Sequence, residues 1–247
     1  MIRALALILG TVSGFALSGV PSHAQGGAVD LELVLAVDAS GSVNETEYRL
    51  QTGGIAAGFR DPAVIDAIRR GNHGRIAVAL VVWADATVPK DQSPWFTISN
   101  AGEAEAFARV VETFPRRVVG GTGIGAGIAH SIRLIDSNAF QGTRRVVDVS
   151  GDGVETPPRE FVVLIGQARD MARARGVTVN GLAILNEVPT LDIWYRNRVR
   201  TGPGSFVMTA SGYEDFAAAM RAKLLREIQE QPPVASLALP AGQRSGR

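Results

Sequence analysis

Two hydrophobic patterns alternate along the chain. Leu31–Val37 is a nearly unbroken apolar run that stops at Asp38, the pattern of a strand buried on both faces. Asn44-x-x-Glu47 then reads as a capping box opening a helix whose Tyr48, Ile55 and Phe59 share one face. Ile76–Trp83 is a second buried strand, Trp95–Ser99 a short edge strand, and Glu103–Phe114 a helix followed by Pro115. After a glycine-rich stretch at 120–127, Ile124, Ile128, Ile132 and Ile135 fall at helical spacing. Val146–Val149 makes the next strand, running into Ser150-Gly151-Asp152-Gly153. A helix is expected to begin at Pro157-Pro158, with Phe161, Leu164, Ile165, Ala168 and Met171 as its inner stripe and Gly176 closing it. Val177–Leu185 and Ser205–Ala210 supply two further strands around a short helix at Leu191–Val199, and the last helix carries Phe216, Met220, Leu224 and Ile228. Strands alternating with helices predict an α/β fold: a mostly parallel, doubly wound sheet with helices on both faces, and no second domain.

The chain ends read differently. Residues 1–24 combine Arg3, an apolar run broken by small residues, and a small-x-small pattern at Ser22-His23-Ala24, which predicts a signal peptide cleaved before Gln25. The folded domain is expected over 28–230, and residues 231–247, rich in Ala, Gly and Ser behind Pro232-Pro233, read as a disordered tail. These features predict a bacterial periplasmic or secreted protein with no stable membrane insertion after cleavage. With 25 Lys and Arg against 24 Asp and Glu, the chain lacks the basic excess that nucleic-acid binding requires. It has no cysteine, which excludes disulfides, thiol catalysis and cysteine-held metals.

In a doubly wound sheet the ligand site lies beyond the carboxyl ends of the strands, where the strand order reverses. There the sequence concentrates short oxygen-bearing side chains: Asp38-Ala39-Ser40-Gly41-Ser42 after the first strand, Gly120-Gly121-Thr122-Gly123 before the central helix, and Asp152 after a later one. Two carboxylates and three hydroxyls suit a hard divalent cation, and Gly41, Gly121, Gly123, Gly151 and Gly153 allow close approach. Each segment alone also reads as a turn or helix cap; their recurrence at three loops of one edge is what points to a shared site.

Asp38-x-Ser40-x-Ser42, then Thr122, then Asp152 resembles the metal-ion-dependent adhesion site of von Willebrand factor A domains. In detail, Arg145–Gly153 and Pro94-Trp95 are similar to a bacterial family of exported, functionally uncharacterised A-domain proteins. The resemblance implies a Rossmann-like fold with strand order 3-2-1-4-5-6, a short antiparallel edge strand, and Mg2+ or Mn2+ between the loops. It implies that Ser40, Ser42 and Thr122 touch the ion or nearly so, while Asp38 and Asp152 bind it directly or through water. Ser-Gly-Asp-Gly stands where many A domains have Thr-Asp-Gly, a change confined to the surroundings of the ligands.

Two acids balance a divalent charge, so such a site retains affinity for one more carboxylate, from an Asp or Glu of a protein or peptide ligand. The expected function is metal-bridged binding and not catalysis. Two alternatives are an A-like domain whose ion is purely structural, with binding elsewhere, and a hydrolase or nucleotide-binding enzyme using the same cleft. An EF-hand is excluded because positions 38–49 lack the central glycine and end in Arg49. A haloacid-dehalogenase-type phosphatase needs an Asp where Ser40 stands. Gly121-x-Gly123-x-x-Ala126 matches the dinucleotide fingerprint formally, but only Val118-Val119 precede it and residue 141 is Gln. His23, His73 and His130 offer no triad, and no G-x-S-x-G elbow is present. Trp83 and Trp95 read as packing residues. Asp148, an acid in an apolar strand, requires a partner, for which Arg144, Arg145 and His130 are candidates.

Overall fold

The computed structural model describes residues 26–157 and 161–229. The expected signal peptide at 1–24, the tail at 231–247 and Pro158 lie outside the described residues. The long apolar runs take the middle of one sheet. Strand β1 (Ala28–Asp38) lies between β2 (Ile76–Trp83) and β5 (Gln141–Gly151), parallel to both. Strands β6 (Thr178–Ile184) and β7 (Val207–Ala210) continue in parallel beyond β5. On the other side, β3 (Asp91–Gln92) and β4 (Phe96–Ile98) both pair antiparallel with β2. The path β3-β2-β1-β5-β6-β7, with β4 also on β2, is the expected 3-2-1-4-5-6 order with its antiparallel edge split into two short pieces.

Alternation along β1 divides the core in two. Leu31, Leu33, Leu35 and Val37 face α1 (Glu45–Arg60), α2 (Pro62–Arg69), α3 (Ala101–Glu112) and α7 (Phe216–Gln229). Val34 and Ala36 face α4 (Ile124–Asp136), α5 (Ile165–Ala174) and α6 (Leu191–Arg198). Trp83 is fully buried and packs against Gly127, and Trp95 lies against Phe140 at 5.9 Å, so both tryptophans are packing residues.

Four local expectations need correction. Helix α5 starts at Ile165, well after Pro157, because Leu164 is extended and its N–H is capped by the Gln167 side chain at 2.9 Å. Phe161, assigned above to that helix's inner stripe, is instead fully exposed with φ 66°. Strand β5 begins at Gln141, before its apolar stretch, because β1 supplies partners from Ala28 onward. Finally, Asp148 pairs with none of the residues expected of it: its carboxylate lies 2.6 Å from the Lys223 ammonium on α7. Lys223 also bonds Glu227, which accepts from Asn180 Nδ2 at 3.0 Å, and all four residues are at most 2% exposed. Burial pushes the Asp148 carboxyl up to about 7, with the Glu227 charge adding and Lys223 opposing.

Candidate metal centre

The register of β1 and β5 places the first and last motif segments side by side: Val37 lies opposite Ser150, so Asp38 and Gly151 leave the sheet together. The Asp38 turn is then held by its own side chain. Asp38 Oδ1 accepts the Ser40 N–H at 2.7 Å, and Gln51 from α1 donates to the Asp38 carbonyl at 3.0 Å. Arg116 Nη2 donates to the Ala39 and Ser40 carbonyls at 3.2 and 3.0 Å, holding the turn from the loop that precedes α4.

The structure brings the loops into contact. Ser40 Oγ and Ser42 Oγ are 3.3 Å apart, and Ser42 Oγ donates to Asp152 Oδ1 at 2.7 Å across 110 residues of sequence. Gly41 N–H donates to the Gly120 carbonyl at 2.7 Å, joining the first loop to the one that carries Thr122. Thr122 is fixed by its backbone, which donates to Thr156 Oγ1 at 2.8 Å and accepts from Thr156 N at 2.9 Å. Its hydroxyl faces the Asp152 turn, 3.7 Å from where a Cβ on Gly153 would stand. Asp38, Ser40, Ser42, Thr122 and Asp152 therefore gather at one rim of the sheet. Among the described residues no group of three or more His, Asp or Glu side chains converges as a metal cage. A cation at this rim would be held by two carboxylates supplemented with hydroxyl oxygens.

The electrostatics of the rim are unbalanced. Asp38 is completely buried, and its Oδ2 has no hydrogen-bond partner among the described residues. Burial pushes the Asp38 carboxyl up to about 7; the nearby Asp152 charge adds to this, against the Ser40 amide and hydroxyl and the Asp152 backbone N–H. An ionised carboxylate oxygen without a donor is costly in a dry interior. A divalent cation would satisfy that oxygen, so the donor set fits a hard ion.

Sequence reasoning missed several supporting residues. Tyr213, in the short 3-10 turn Tyr213–Asp215 before α7, donates to Asp152 Oδ2 at 3.0 Å. The Tyr195 hydroxyl on α6 and Asp38 Oδ2 lie 2.8 and 2.7 Å from the point that a Gly151 Cβ would occupy. Glu155 caps two helices at once, accepting Gly125 N at 2.8 Å and the Ile165 N–H. Gln51 carried a readable signal, a polar residue at an inward position between Tyr48 and Ile55; the tyrosines gave none, because aromatic residues in a core pattern need no polar partner. The glycines serve neighbours more than an ion: a Cβ on Gly123 would lie 2.5 Å from Ala86 N, and one on Gly121 3.0 Å from the Asp85 carboxylate. Beside Thr122 opens a cleft of about 140 Å³ lined by Asp85, Thr87, Gly121 and Thr156.

The sheet order, the helices on both faces and the loops meeting at one rim define a von Willebrand factor A-like fold. The pilus adhesin SpaC from Lactobacillus rhamnosus GG superposes with a TM-score of 0.58 at 13% identity, covering 81% of this chain and 31% of that one. The vWF domain of the type V pili tip protein Mfa5 from Porphyromonas gingivalis gives 0.53 at 11% identity, covering 83% of this chain and 98% of that one. Proximal thread matrix protein 1 from the mussel byssus gives 0.51 at 16%, covering 82% and 46%. At these identities the likeness shows the fold, and the chain spans under a third of SpaC. The chain belongs to the family described as "Protein of unknown function (DUF1194)", which matches residues 28–232. No curated protein matches it.

Proposed function

We propose that this protein is a metal-ion-dependent protein- or peptide-binding module, exported to the periplasm or beyond, and not an enzyme. The observation that carries the reading is the buried Asp38 carboxylate, whose Oδ2 has no hydrogen-bond partner among the described residues, on the loop whose Ser42 bonds Asp152. Mg2+ or Mn2+ would be held by Ser40, Ser42 and Thr122, with Asp38 and Asp152 binding directly or through water, and would supply a positive centre for a ligand carboxylate. Asp38 and Asp152 neutralise a divalent ion without reversing its charge, so a partner's Asp or Glu completes the coordination. Exposed apolar side chains flank the motif loops: Val119 before Thr122, and Val154 after Asp152. Such a border suits a protein ligand, which buries apolar surface around a polar contact. The adhesin neighbours support the same class of function and an extracellular or surface location. Among the described residues no helix is long and apolar enough to cross a membrane.

Thermal melting tests the reading. Magnesium at ten times its dissociation constant should stabilise the fold by about 1.4 kcal/mol, and Ser42→Ala or Asp152→Ala should abolish the shift. Identical melting of wild type and both variants, with and without the ion, would remove the basis for metal-dependent binding. A carboxylate-bearing partner that stays bound after chelation would instead favour a structural ion with binding elsewhere.

A further inference from the structure

We propose that Tyr213 sets the cation preference of the rim, favouring magnesium over calcium, by locking the Asp152 carboxylate in one orientation; this rests on the metal-binding reading above. Asp152 is completely buried and both its oxygens are engaged: Oδ1 accepts from Ser42 Oγ at 2.7 Å and Oδ2 from the Tyr213 hydroxyl at 3.0 Å. The serine bond is internal to the motif. The tyrosine bond comes from an element that supplies none of the five motif residues. Tyr213 is 3% exposed and packs in the same core cluster as Phe216, Tyr48 and Val43, so its hydroxyl is delivered by a buried ring.

A carboxylate pinned at its far oxygen cannot swing to chelate an ion with both. Calcium takes six to eight oxygens, often including bidentate carboxylates, at roughly 2.3–2.6 Å, whereas magnesium demands near-octahedral single contacts at roughly 2.0–2.1 Å. Anchoring Asp152 therefore penalises the larger ion. The second tyrosine gives the contrast. Tyr195 lies near Asp38 Oδ2, yet neither its hydroxyl nor that oxygen has a hydrogen-bond partner among the described residues. One acid is anchored and the other left open. Tyr213 bonds Asp152 and would act on an ion through it, which makes it a positioning residue.

The test is titration calorimetry with magnesium chloride and, separately, calcium chloride on the wild type, Tyr213→Phe and Phe216→Leu. Tyr213→Phe should weaken magnesium binding about tenfold, the usual scale for losing an outer-shell partner; for calcium the freed carboxylate gains a second contact that offsets this loss, so calcium affinity changes less than about twofold. The magnesium-to-calcium preference then falls by about fivefold or more. Phe216→Leu loosens the same cluster without removing a polar contact, and should lower the melting temperature with the preference intact. Equal losses for both ions in Tyr213→Phe, no change in either, or an equal shift of preference in Phe216→Leu would each overturn the assignment. Absence of magnesium binding by the wild type overturns the metal-binding reading itself, and the wild-type titration alone reports it.

Discussion

Gly123 is required by backbone and not by flexibility. A Cβ there would lie 2.5 Å from Ala86 N and 2.8 Å from the Ala84 carbonyl, neither of which rotates away. Gly123→Ala is expected to cost about 1–3 kcal/mol, as overpacking does, read as a lower urea midpoint; an unchanged midpoint would contradict the packing. Asp148 shows how far single residues were legible. Its misfit in an apolar strand was visible. Lys223 and Glu227, buried on α7 with Met220 and Leu224, were not read as its partners, because periodicity along one helix does not say which strand it covers. The cluster makes a pH prediction. Two acids and one ammonium leave excess negative charge in the core, and burial raises the Asp148 pKa from 3.8 to about 7. The folded state thus holds a proton that the unfolded chain releases, so this stability is complete below about pH 4 and lost as pH rises through about 7. Asp38 is shifted the same way. Asp148→Asn should therefore lessen the fall in metal-free stability between pH 5 and 8; an unaltered slope in denaturation curves would refute the buried proton.

Helix starts were readable when their signals were local and unreadable when they were borrowed. Asn44 and Glu47 form the expected capping box, with the Asn44 side chain accepting from Thr46 and Glu47 and Glu47 returning to the Asn44 N–H at 2.8 Å. Asn44→Ala should destabilise the protein by about 1 kcal/mol. Helix α4 has no side-chain bond from its own N-cap, Gly123, and takes Glu155 from the far side of the β5 turn instead. No window of sequence contains that bond. Because the same carboxylate also accepts the first N–H of α5, Glu155→Ala should exceed a single cap loss, at about 2–3 kcal/mol, and raise amide exchange at both Gly125 and Ile165. Protection lost at only one helix would show that the two are not jointly capped. Phe161 failed as a helix residue for a related reason: it matched the apolar spacing, but the chain reaches helical geometry only at Ile165.

At the scale of the molecule, the topology followed from alternating buried strands and helices, because a parallel sheet needs crossovers and crossovers have one hand. The gathering of Asp38, Ser40, Ser42, Thr122 and Asp152 likewise followed from knowing which sheet edge collects strand ends. Less legible were the residues that hold the rim in place, Arg116, Gln51 and Tyr213, since each reaches it from a separate loop or helix. If the rim is a cation site, an anomalous difference map from crystals grown with manganese will show one peak bounded by Ser40, Ser42 and Thr122, with Asp38 or Asp152 reaching it directly or through one water. A manganese peak elsewhere on the protein with none at this rim would contradict that reading.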